Sequence, residues 1–284
     1  MQICQTIAKV RATVAGYRAV GETVALVPTM GYLHEGHMTL VRRARDEGDR
    51  VVVWIFVNPT QFEKADDLAA YPRDLDRDLA MLRAEGVDAV FTPDAAEIYP
   101  EGAETIVETT RLANMLHGLV RPGHFRGVTT VVTKFFNIIQ PDAAMFGEKD
   151  YQQLQVIKRM VRDLHMPIRI VGVPTVREAD GLAMSSRNVR LSPEERQAAV
   201  VLSRALDHAQ GVAPQHPDAS DLHNQIAGLI AAEPLATLEG CDIVAADTLT
   251  PVTGQISAPT AILLSVQVGP VLLIDQRVIS PERA

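Results

Sequence analysis

The segment Val51–Val57, which reads VVVWIFV, is too continuously apolar for a strand with one face in water. An earlier run, Thr23–Pro28 (TVALVP), is also rich in β-branched residues, and turn residues bound both runs. Between them, apolar side chains recur at helical spacing within His37–Glu47. A strand, a helix and a second strand in succession form a βαβ unit, which predicts a buried parallel sheet.

The same alternation continues as far as Val173. It predicts an α/β fold built as a Rossmann-like, doubly wound parallel sheet. The further segments are helices at Leu75–Glu85, Gly127–Ile139 and Tyr151–Leu164, and strands at Ala89–Thr92, Ala143–Phe146 and Ile168–Val173.

The pattern changes after Val173, and the 284 residues are enough for two domains. We therefore predict a first domain over residues 1–175, which binds nucleotide and substrate, and a smaller α+β C-terminal lid domain over residues 176–284. The expected segments of the second domain are a turn-rich connection at Pro174–Asn188, helices at Pro193–Ala209 and Leu222–Ala232 around a loop at Val212–Ser220, and strands at Cys241–Ala245, Thr260–Val266 and Val271–Asp275.

Charge and composition exclude several classes of function. The net charge of −8 argues against a large nucleic-acid-binding surface, because a surface that is negative on average repels the phosphates of nucleic acid. The two cysteines lie far apart and form no CxxC pair, so a disulfide framework and a thiolate metal site are not expected. No apolar run approaches the ~18 residues of a membrane span, and the first twenty residues lack a signal-peptide core. We expect a soluble, cytoplasmic protein with neither nucleic acid nor membrane as a partner.

The segment after the first predicted strand carries the clearest chemical signal. It reads Met30-Gly31-Tyr32-Leu33-His34-Glu35-Gly36-His37, and the next helix is expected to begin at His37. Ligands of open parallel sheets bind beyond the carboxyl ends of the strands, and helix N-termini attract phosphate through free N–H groups and the helix dipole.

Three chemistries can be compared for this segment. Gly31 and Gly36 have the spacing of a Walker A loop, but His37 stands where lysine is required, so a P-loop is rejected. The run His-Glu-Gly-His is one residue shorter than the HExxH of zinc proteases, and that site is also rejected. The remaining function is hydrogen-bond donation from His34 and His37 to a phosphate. The structural alternative is that His34 only caps the turn and that His37 lies at a solvated helix start.

At this point the sequence resembles a family. The stretch PTMGYLHEGH is similar to the HxGH signature of the nucleotidyltransferase superfamily and, as a whole, to the pantoate–β-alanine ligases, also called pantothenate synthetases. Five further blocks follow in the family's order. They are FVNPTQF (Phe56–Phe62), YPRDLDRD (Tyr71–Asp78), RPGHFRGVTTVV (Arg121–Val132), FGEKDYQQLQVI (Phe146–Ile157) and DGLAMSSRN (Asp180–Asn188).

The resemblance implies a reaction. Family members join (R)-pantoate to β-alanine, with ATP as co-substrate and Mg²⁺ as cofactor, through a pantoyl adenylate, and release AMP and pyrophosphate. The mixed anhydride turns an unreactive carboxylate into an electrophile, so the protein needs no covalent nucleophile. Positioning and charge stabilisation are then expected to supply most of the rate. The family also implies a homodimer.

The resemblance assigns site residues as well. His34, His37 and Lys149 are the implied catalytic residues, and Gln61, Gln153 and Arg121 are implied to bind pantoate or β-alanine. Amides at Gln61 and Gln153 suit a carboxylate and a hydroxyl, because an amide both donates and accepts. The implied ATP-binding residues are Met30, Gly31, Tyr32, Leu33, His34, Glu35, Gly36 and His37, then Gly147, Glu148, Lys149 and Asp150, with Val176 near the adenine and Met184, Ser185, Ser186 and Arg187 as the counterpart of a KMSKS loop.

Some assignments stay open in the sequence. Asp74, Asp76, Asp78 and Asp150 are candidate Mg²⁺ ligands, but the first three also fit a solvated helix face, and no ligand is assigned. His124 has no spacing that supports a zinc site with the other histidines, and no general base for the β-alanine amine is evident.

Three other functions compete with the ligase. A nucleotidylyltransferase that moves AMP onto a phosphate shares HxGH, but it would favour basic residues where Gln61 and Gln153 stand. An aminoacyl-tRNA synthetase shares both ATP signatures, but this short acidic chain has no evident RNA-binding module. A non-enzymatic nucleotide sensor would not need Lys149 together with both histidines.

Overall fold

The strands form two separate sheets in the computed structural model of the chain, which describes residues 1–62, 68–69 and 71–281. The first sheet is six-stranded and parallel, in the order β1-β4-β3-β2-β5-β6, and the second is three-stranded and antiparallel, in the order β7-β8-β9. This arrangement confirms the predicted fold class. The strands are β1 (Gln2–Cys4), β2 (Val24–Thr29), β3 (Arg50–Ile55), β4 (Ala89–Phe91), β5 (Ala143–Gly147), β6 (Arg169–Val173), β7 (Ala236–Ala245), β8 (Thr260–Val268) and β9 (Val271–Ile279).

Helices connect the strands, and short 3₁₀ turns lie at Pro59–Gln61, Leu112–Asn114, Glu148–Asp150, Asn188–Arg190 and Ala213–Gln215. Among the described residues, no helix has both the length and the apolar content needed to cross a membrane. The described α-helices are α1 (Ile7–Ala19), α2 (Glu35–Glu47), α3 (Leu75–Ala84), α4 (Ala95–Ile98), α5 (His117–Val120), α6 (His124–Ile139), α7 (Tyr151–Asp163), α8 (Pro193–Ala198), α9 (Val201–Val212) and α10 (Ala219–Ala231).

The parallel sheet is buried on both faces, which explains why its strands are apolar without alternation. Leu26 and Trp54 point to one face and pack with side chains of α1, α6 and α7. Val27 and Val53 point to the opposite face and pack with side chains of α2 and α3. Because successive side chains of a strand alternate between faces, a strand covered on both sides needs apolar residues throughout.

The strand order reverses at β2. From β2 the chain proceeds outward through β3 to β4, and it then returns to place β5 and β6 on the other side of β2. In open α/β sheets, the crevice at such a reversal, beyond the carboxyl ends of the strands, is where ligands bind. The segments that follow β2, β3 and β5 carry Met30–His37, Gln61 and Glu148–Asp150 of the predicted site.

The chain divides into two compact units. One comprises Met1–Gly147 and Gln152–Val173, and the other comprises Glu148–Tyr151 and the chain from Pro174 onward. In the second unit, apolar side chains of α8, α9 and α10 pack on the antiparallel sheet to form a separate core, which includes Leu202, Leu222 and Leu264.

Several predicted boundaries were wrong. Helix α2 begins at Glu35 rather than His37, because His34 acts as its N-cap. The single helix expected at Pro193–Ala209 is two helices, since ψ is −21° at Ala199 and −17° at Val200 and the N–H of Leu202 bonds to the oxygen of Ala199, only three residues earlier. Strand β1 and helix α1 had not been predicted. The buried helix expected at Gly127–Ile139 is confirmed as α6.

Candidate active site

The turn after β2 has a constrained backbone. The Thr29 hydroxyl donates to the oxygen of Trp54 at 2.9 Å and accepts from the N–H of Gly31 at 3.2 Å. Gly31 and Tyr32 both have positive φ, +82° and +51°, which for a non-glycine residue such as Tyr32 costs roughly 1 kcal/mol or more. The turn therefore requires stabilisation from neighbouring groups.

Asp78, on α3, supplies contacts that stabilise this turn. Its side chain is 1% exposed, and its two oxygens accept the N–H groups of Tyr32 and Leu33, each at 2.7 Å. Burial raises the pKa of Asp78, and the hydrogen bonds from Leu33 and Tyr32 oppose that rise. A Cβ atom at Gly31 would lie 3.1 Å from an Asp78 oxygen, so the close approach favours glycine there.

His34 and His37 cap the helix that follows. The Nδ1 atom of His34 accepts from the N–H of Gly36 at 3.2 Å, and the Nδ1 atom of His37 accepts from the N–H of His34 at 3.2 Å. The ring centroids are 4.1 Å apart. An Nδ1 atom that accepts a hydrogen bond carries no proton, so in each neutral ring the proton is on Nε2. Each imidazole therefore has an N–H donor on the side away from the cap.

The backbone of this turn is less available to an anion than the sequence suggested. The N–H groups of Tyr32, Leu33, His34 and Gly36 donate to side chains of the protein, and that of His37 donates to the oxygen of His34. The expectation that free N–H groups of the helix start would hold a phosphate is therefore wrong for these five residues. A phosphate at this turn would depend on side-chain donors.

Gln61 lies next to Met30, with its orientation set by Asn58. Asn58 is 1% exposed, and its Nδ2 atom donates to Oε1 of Gln61 at 3.1 Å and to the oxygen of Gly127 at 3.2 Å. The Oδ1 atom of Asn58 accepts from the hydroxyl of Tyr99 at 2.9 Å. With Oε1 of Gln61 held by Asn58, its Nε2 atom points toward the sulfur of Met30, at 3.0 Å.

The first turn of α6 packs closely on the 3₁₀ turn that contains Gln61. A Cβ atom at Gly127 would lie 2.5 Å from the oxygen of Thr60, so only glycine fits without movement of the backbone. His124 contacts the same turn, with its Nδ1 atom 2.9 Å from the oxygen of Gln61. The half-buried Arg121 is bonded through its backbone to His117 and His124, at 3.0 and 3.1 Å.

The two glutamines at the start of α7 have different environments. Gln152 is 3% exposed, and its amide bonds to the oxygens of Leu112 and Met115 and to the N–H of His117, at 2.9, 2.7 and 3.0 Å. Gln152 therefore orients the segment that leads to Arg121, a role that the sequence did not indicate. Gln153 is half-buried, and among the described contacts no hydrogen bond joins it to Gln61.

Several predicted phosphate-binding residues come together within the second unit. Lys149, Ser185 and Arg187 line one cavity, together with Asn188 and Asp275. The hydroxyl of Ser185 accepts from the N–H of Arg187 at 3.2 Å. The neighbouring Ser186 is half-buried, as is Glu148, whereas Gly147 ends β5 in the first unit.

The loop that carries Met184–Arg187 is held at its base. The N–H of Met184 donates to the oxygen of Val176 at 2.9 Å, and Arg177 pairs with Ala183 across an isolated bridge. Two guanidinium groups fix this hairpin. Arg177 donates to both oxygens of the buried Asp275 at 2.7 and 3.0 Å, and Arg196 donates to Asp180 and Glu178, each at 2.7 Å.

The candidate magnesium ligands separate into different roles. Asp74 caps α3 by accepting from the N–H of Arg77 at 3.1 Å, and Asp78 is buried against the turn. Asp76 and Asp150 are exposed. In the part of the chain that the structure describes, no group of three or more His, Cys, Asp or Glu side chains could hold a metal ion.

Comparison with known proteins gives a consistent result over the whole length. The model of the family described as pantoate-beta-alanine ligase matches residues 2–278. Pantothenate synthetases of Agrobacterium fabrum and Sinorhizobium medicae are 52% and 53% identical to this chain over its full length and are covered to 97% and 98% of their own.

Comparison with solved structures points to the same family. The crystal structure of pantothenate synthetase from Thermus thermophilus matches 99% of this chain and 100% of its own, with a TM-score of 0.93 at 46% identity. The pantoate-beta-alanine ligase of Francisella tularensis, complexed with beta-gamma ATP and beta-alanine, matches 98% of this chain and 97% of its own, with a TM-score of 0.80 at 33% identity.

Proposed function

This chain belongs to the pantoate–β-alanine ligase family, and from that premise we propose that it condenses (R)-pantoate with β-alanine to form pantothenate at the expense of ATP. In the first half-reaction, a carboxylate oxygen of pantoate attacks the α-phosphorus of ATP, and pyrophosphate leaves. In the second, the amine of β-alanine attacks the acyl carbon of the pantoyl adenylate, AMP leaves, and the amine loses a proton.

The observation that carries this proposal is the histidine cap of α2. His34 and His37 each accept a backbone N–H at Nδ1, so each neutral ring has its proton on Nε2. Two donors at a helix start suit the charge that grows on the α-phosphate as the carboxylate attacks. Donors aimed at such developing charge are each worth about 3–4 kcal/mol.

ATP binding is proposed for three groups of residues. Met30–His37 line the phosphates, with the side chains of His34 and His37 as donors. Lys149 and the Met184–Arg187 loop are proposed to bind the β- and γ-phosphates, a role supported by the closeness of Lys149 to Ser185 and Arg187. The remaining assignments follow the family: Gly147, Glu148 and Asp150 along the nucleotide and Val176 near the adenine. Residues 1–175 thus carry most of the substrate contacts, and residues 176–284 form the smaller lid domain.

Pantoate is proposed to bind Gln61 and Gln153. Asn58 holds Oε1 of Gln61, which directs the donor Nε2 of that amide outward, beside Met30. A neutral amide binds a carboxylate without the strong charge pairing by which arginine would lower the reactivity of the attacking oxygen. Arg121 is proposed to bind on the β-alanine or pyrophosphate side.

Magnesium is proposed to enter with ATP. Mg²⁺ typically keeps several waters and uses one or two carboxylates plus phosphate oxygens, so it needs no dedicated cage of protein side chains. The described residues fit that mode, since they contain exposed carboxylates such as Asp150 but no preformed group of three metal-binding side chains. Bound magnesium would neutralise charge on the triphosphate.

Two further assignments rest on the family and on the chemistry. We propose a homodimer by the resemblance, to be checked by sedimentation velocity. We propose a cytoplasmic location because the reaction consumes ATP.

The test is exchange of labelled pyrophosphate into ATP. We expect exchange that requires pantoate and does not require β-alanine. Exchange that depends on a proteinogenic amino acid would instead favour a synthetase, and exchange that depends on a phosphate-bearing acceptor would favour a nucleotidylyltransferase. A second experiment uses pantoate with ¹⁸O in its carboxylate. Transfer of one ¹⁸O atom into AMP is expected, and its absence would eliminate the adenylate route.

A further inference from the structure

We propose that Asp78 is a positioning residue of the adenylation reaction, which holds the turn Gly31–Leu33 so that the imidazoles of His34 and His37 meet the α-phosphate. This inference rests on the proposed function and adds to it a buried residue whose two oxygens both accept backbone N–H groups. It also separates Asp78 from Asp74 and Asp76, which occupy the same acidic stretch of sequence.

The contacts of Asp78 are specific to this turn. Its carboxylate is 1% exposed and accepts two N–H groups, from Tyr32 and Leu33, at 2.7 Å each. These donors lie 46 and 45 residues away along the chain, so the contact joins α3 to the end of β2. Two successive N–H groups that converge on one anion form the kind of concave backbone site that often binds phosphate. Here a side chain of the protein fills it.

The turn needs this support because of its backbone geometry. Gly31 and Tyr32 both have positive φ, a conformation that an aromatic residue rarely adopts. Leu33, the second donor, directly precedes His34, which caps α2. Loss of the two hydrogen bonds would let Tyr32 return toward a negative φ. That rotation would move Leu33 and, with it, His34.

The support on the other side is rigid. Leu79 and Leu82 of α3 are buried in the same core as Met38 and Val41 of α2. The helix that carries Asp78 therefore shares one core with the helix that the histidines cap. Because both oxygens face N–H donors, an acceptor at both positions is required. An asparagine would place its own N–H group against one of the two backbone donors.

The experiment compares Asp78→Asn with Asp88→Asn. Asp88 provides a matched control, because it is a partly buried carboxylate of the same unit that also accepts a backbone N–H, from Val51 at 2.8 Å, as well as a guanidinium hydrogen bond from Arg50. That contact lies at the amino end of β3, at the opposite edge of the sheet from the histidine turn. Both variants are expected to lower the thermal midpoint.

The kinetic result is expected to differ between the two variants. In pantoate-dependent pyrophosphate exchange, Asp78→Asn should lower kcat by about 10²-fold, the effect of moving a catalytic group by roughly 1 Å, while KM for pantoate stays within about threefold. Asp88→Asn should leave both values near those of the unsubstituted chain. A kcat for Asp78→Asn near the unsubstituted value, or an equal loss in both variants, would overturn the inference.

Two additional measurements keep the outcome decisive. If Asp78→Asn does not fold, Asp78→Ser is used, since its hydroxyl retains one acceptor in a smaller side chain. In the unsubstituted chain, the N–H groups of Tyr32 and Leu33 should exchange slowly with solvent, although they lie outside helices and strands, and rapid exchange at both would contradict the proposed contact. If the unsubstituted chain shows no pantoate-dependent exchange, the proposed function fails first, and the slow amide exchange still reports on Asp78.

Discussion

The backbone N–H of His34 donates to the Nδ1 atom of His37 at 3.2 Å, and this contact ties the conformation of one proposed phosphate donor to the other. The imidazole of His37 is thus part of the helix cap through Nδ1, and its proposed role as a phosphate donor uses Nε2. The sequence presents these as competing interpretations of the histidines. The structure shows that the cap does not conflict with donation to a phosphate, because the cap uses the opposite nitrogen.

Substitution of His37 separates the two roles. His37→Asn keeps an acceptor close to the position of Nδ1 and removes the distant donor, whereas His37→Ala removes both. We expect each variant to lower kcat of pyrophosphate exchange by about 10²-fold or more. Only His37→Ala should also lose about 1 kcal/mol of unfolding free energy, since it also removes a cap acceptor. Equal stability of the two variants would show that the cap contact contributes little.

Gln61→Met tests the pantoate site. Methionine has a similar length but cannot donate, so a hydrogen bond to a charged carboxylate is lost, at a cost of roughly 1.5 kcal/mol or more. KM for pantoate should rise about tenfold or more, and KM for ATP should change little. Gln5→Met, at an exposed position of the same unit, is the control. An unchanged KM for pantoate in a folded Gln61→Met variant would remove Gln61 from the site.

Lys149→Met tests the triphosphate side. The Lys149 side chain lines the cavity with Ser185 and Arg187, and loss of its charge should reduce kcat of exchange by about 10²-fold. Lys158→Met is the control, because Lys158 is an exposed residue of α7. Activity of Lys149→Met equal to that of Lys158→Met would mean that the cavity serves another purpose.

Acid should weaken the base of the Met184–Arg187 loop. The hydrogen bond from Arg196 holds the pKa of Asp180 below its ordinary value of 3.8. A carboxylate whose pKa is lower in the folded state stabilises the fold above its ordinary pKa, and that contribution is lost as the pH falls through the folded pKa. We therefore expect Asp180→Asn to lower the thermal midpoint at pH 6 and to differ less from the unsubstituted chain at pH 3.

The control for acid stability is Asp247→Asn, which removes an exposed carboxylate of the same unit. Its midpoint should follow that of the unsubstituted chain across the same pH range. A gap between Asp180→Asn and the unsubstituted chain that is constant with pH would exclude the ionisation of Asp180 as its cause.

The pattern of apolar residues predicted the parallel sheet, because a strand that is buried on both faces is apolar at every position. The run Val51–Val57 has no polar position, and β3 is indeed covered on both sides. The same approach missed α1, although Ile7, Val10, Val14 and Tyr17 recur at helical spacing and Thr6 caps the helix.

The chemical block around His34 was predictable because its residues are contiguous, whereas the contact of Asp78 was not. An acidic residue beside other acidic residues resembles a solvated helix face. The available signal was position, since Asp78 directly precedes Leu79 and lies four residues before Leu82, and both leucines face the core. Its partner could not be found in this way, because a contact over 45 residues depends on how the helices pack.

The space beside Gly127 is too small for a methyl group, and this limits which residues the enzyme can carry at that position. Glycine is among the least favourable residues for a helix interior, yet any other residue in α6 at this point would push on the carbonyl of Thr60 and displace the turn that carries Gln61. A library randomised at this codon should return glycine alone under selection. A cell that relied on any other version would need pantothenate in its medium.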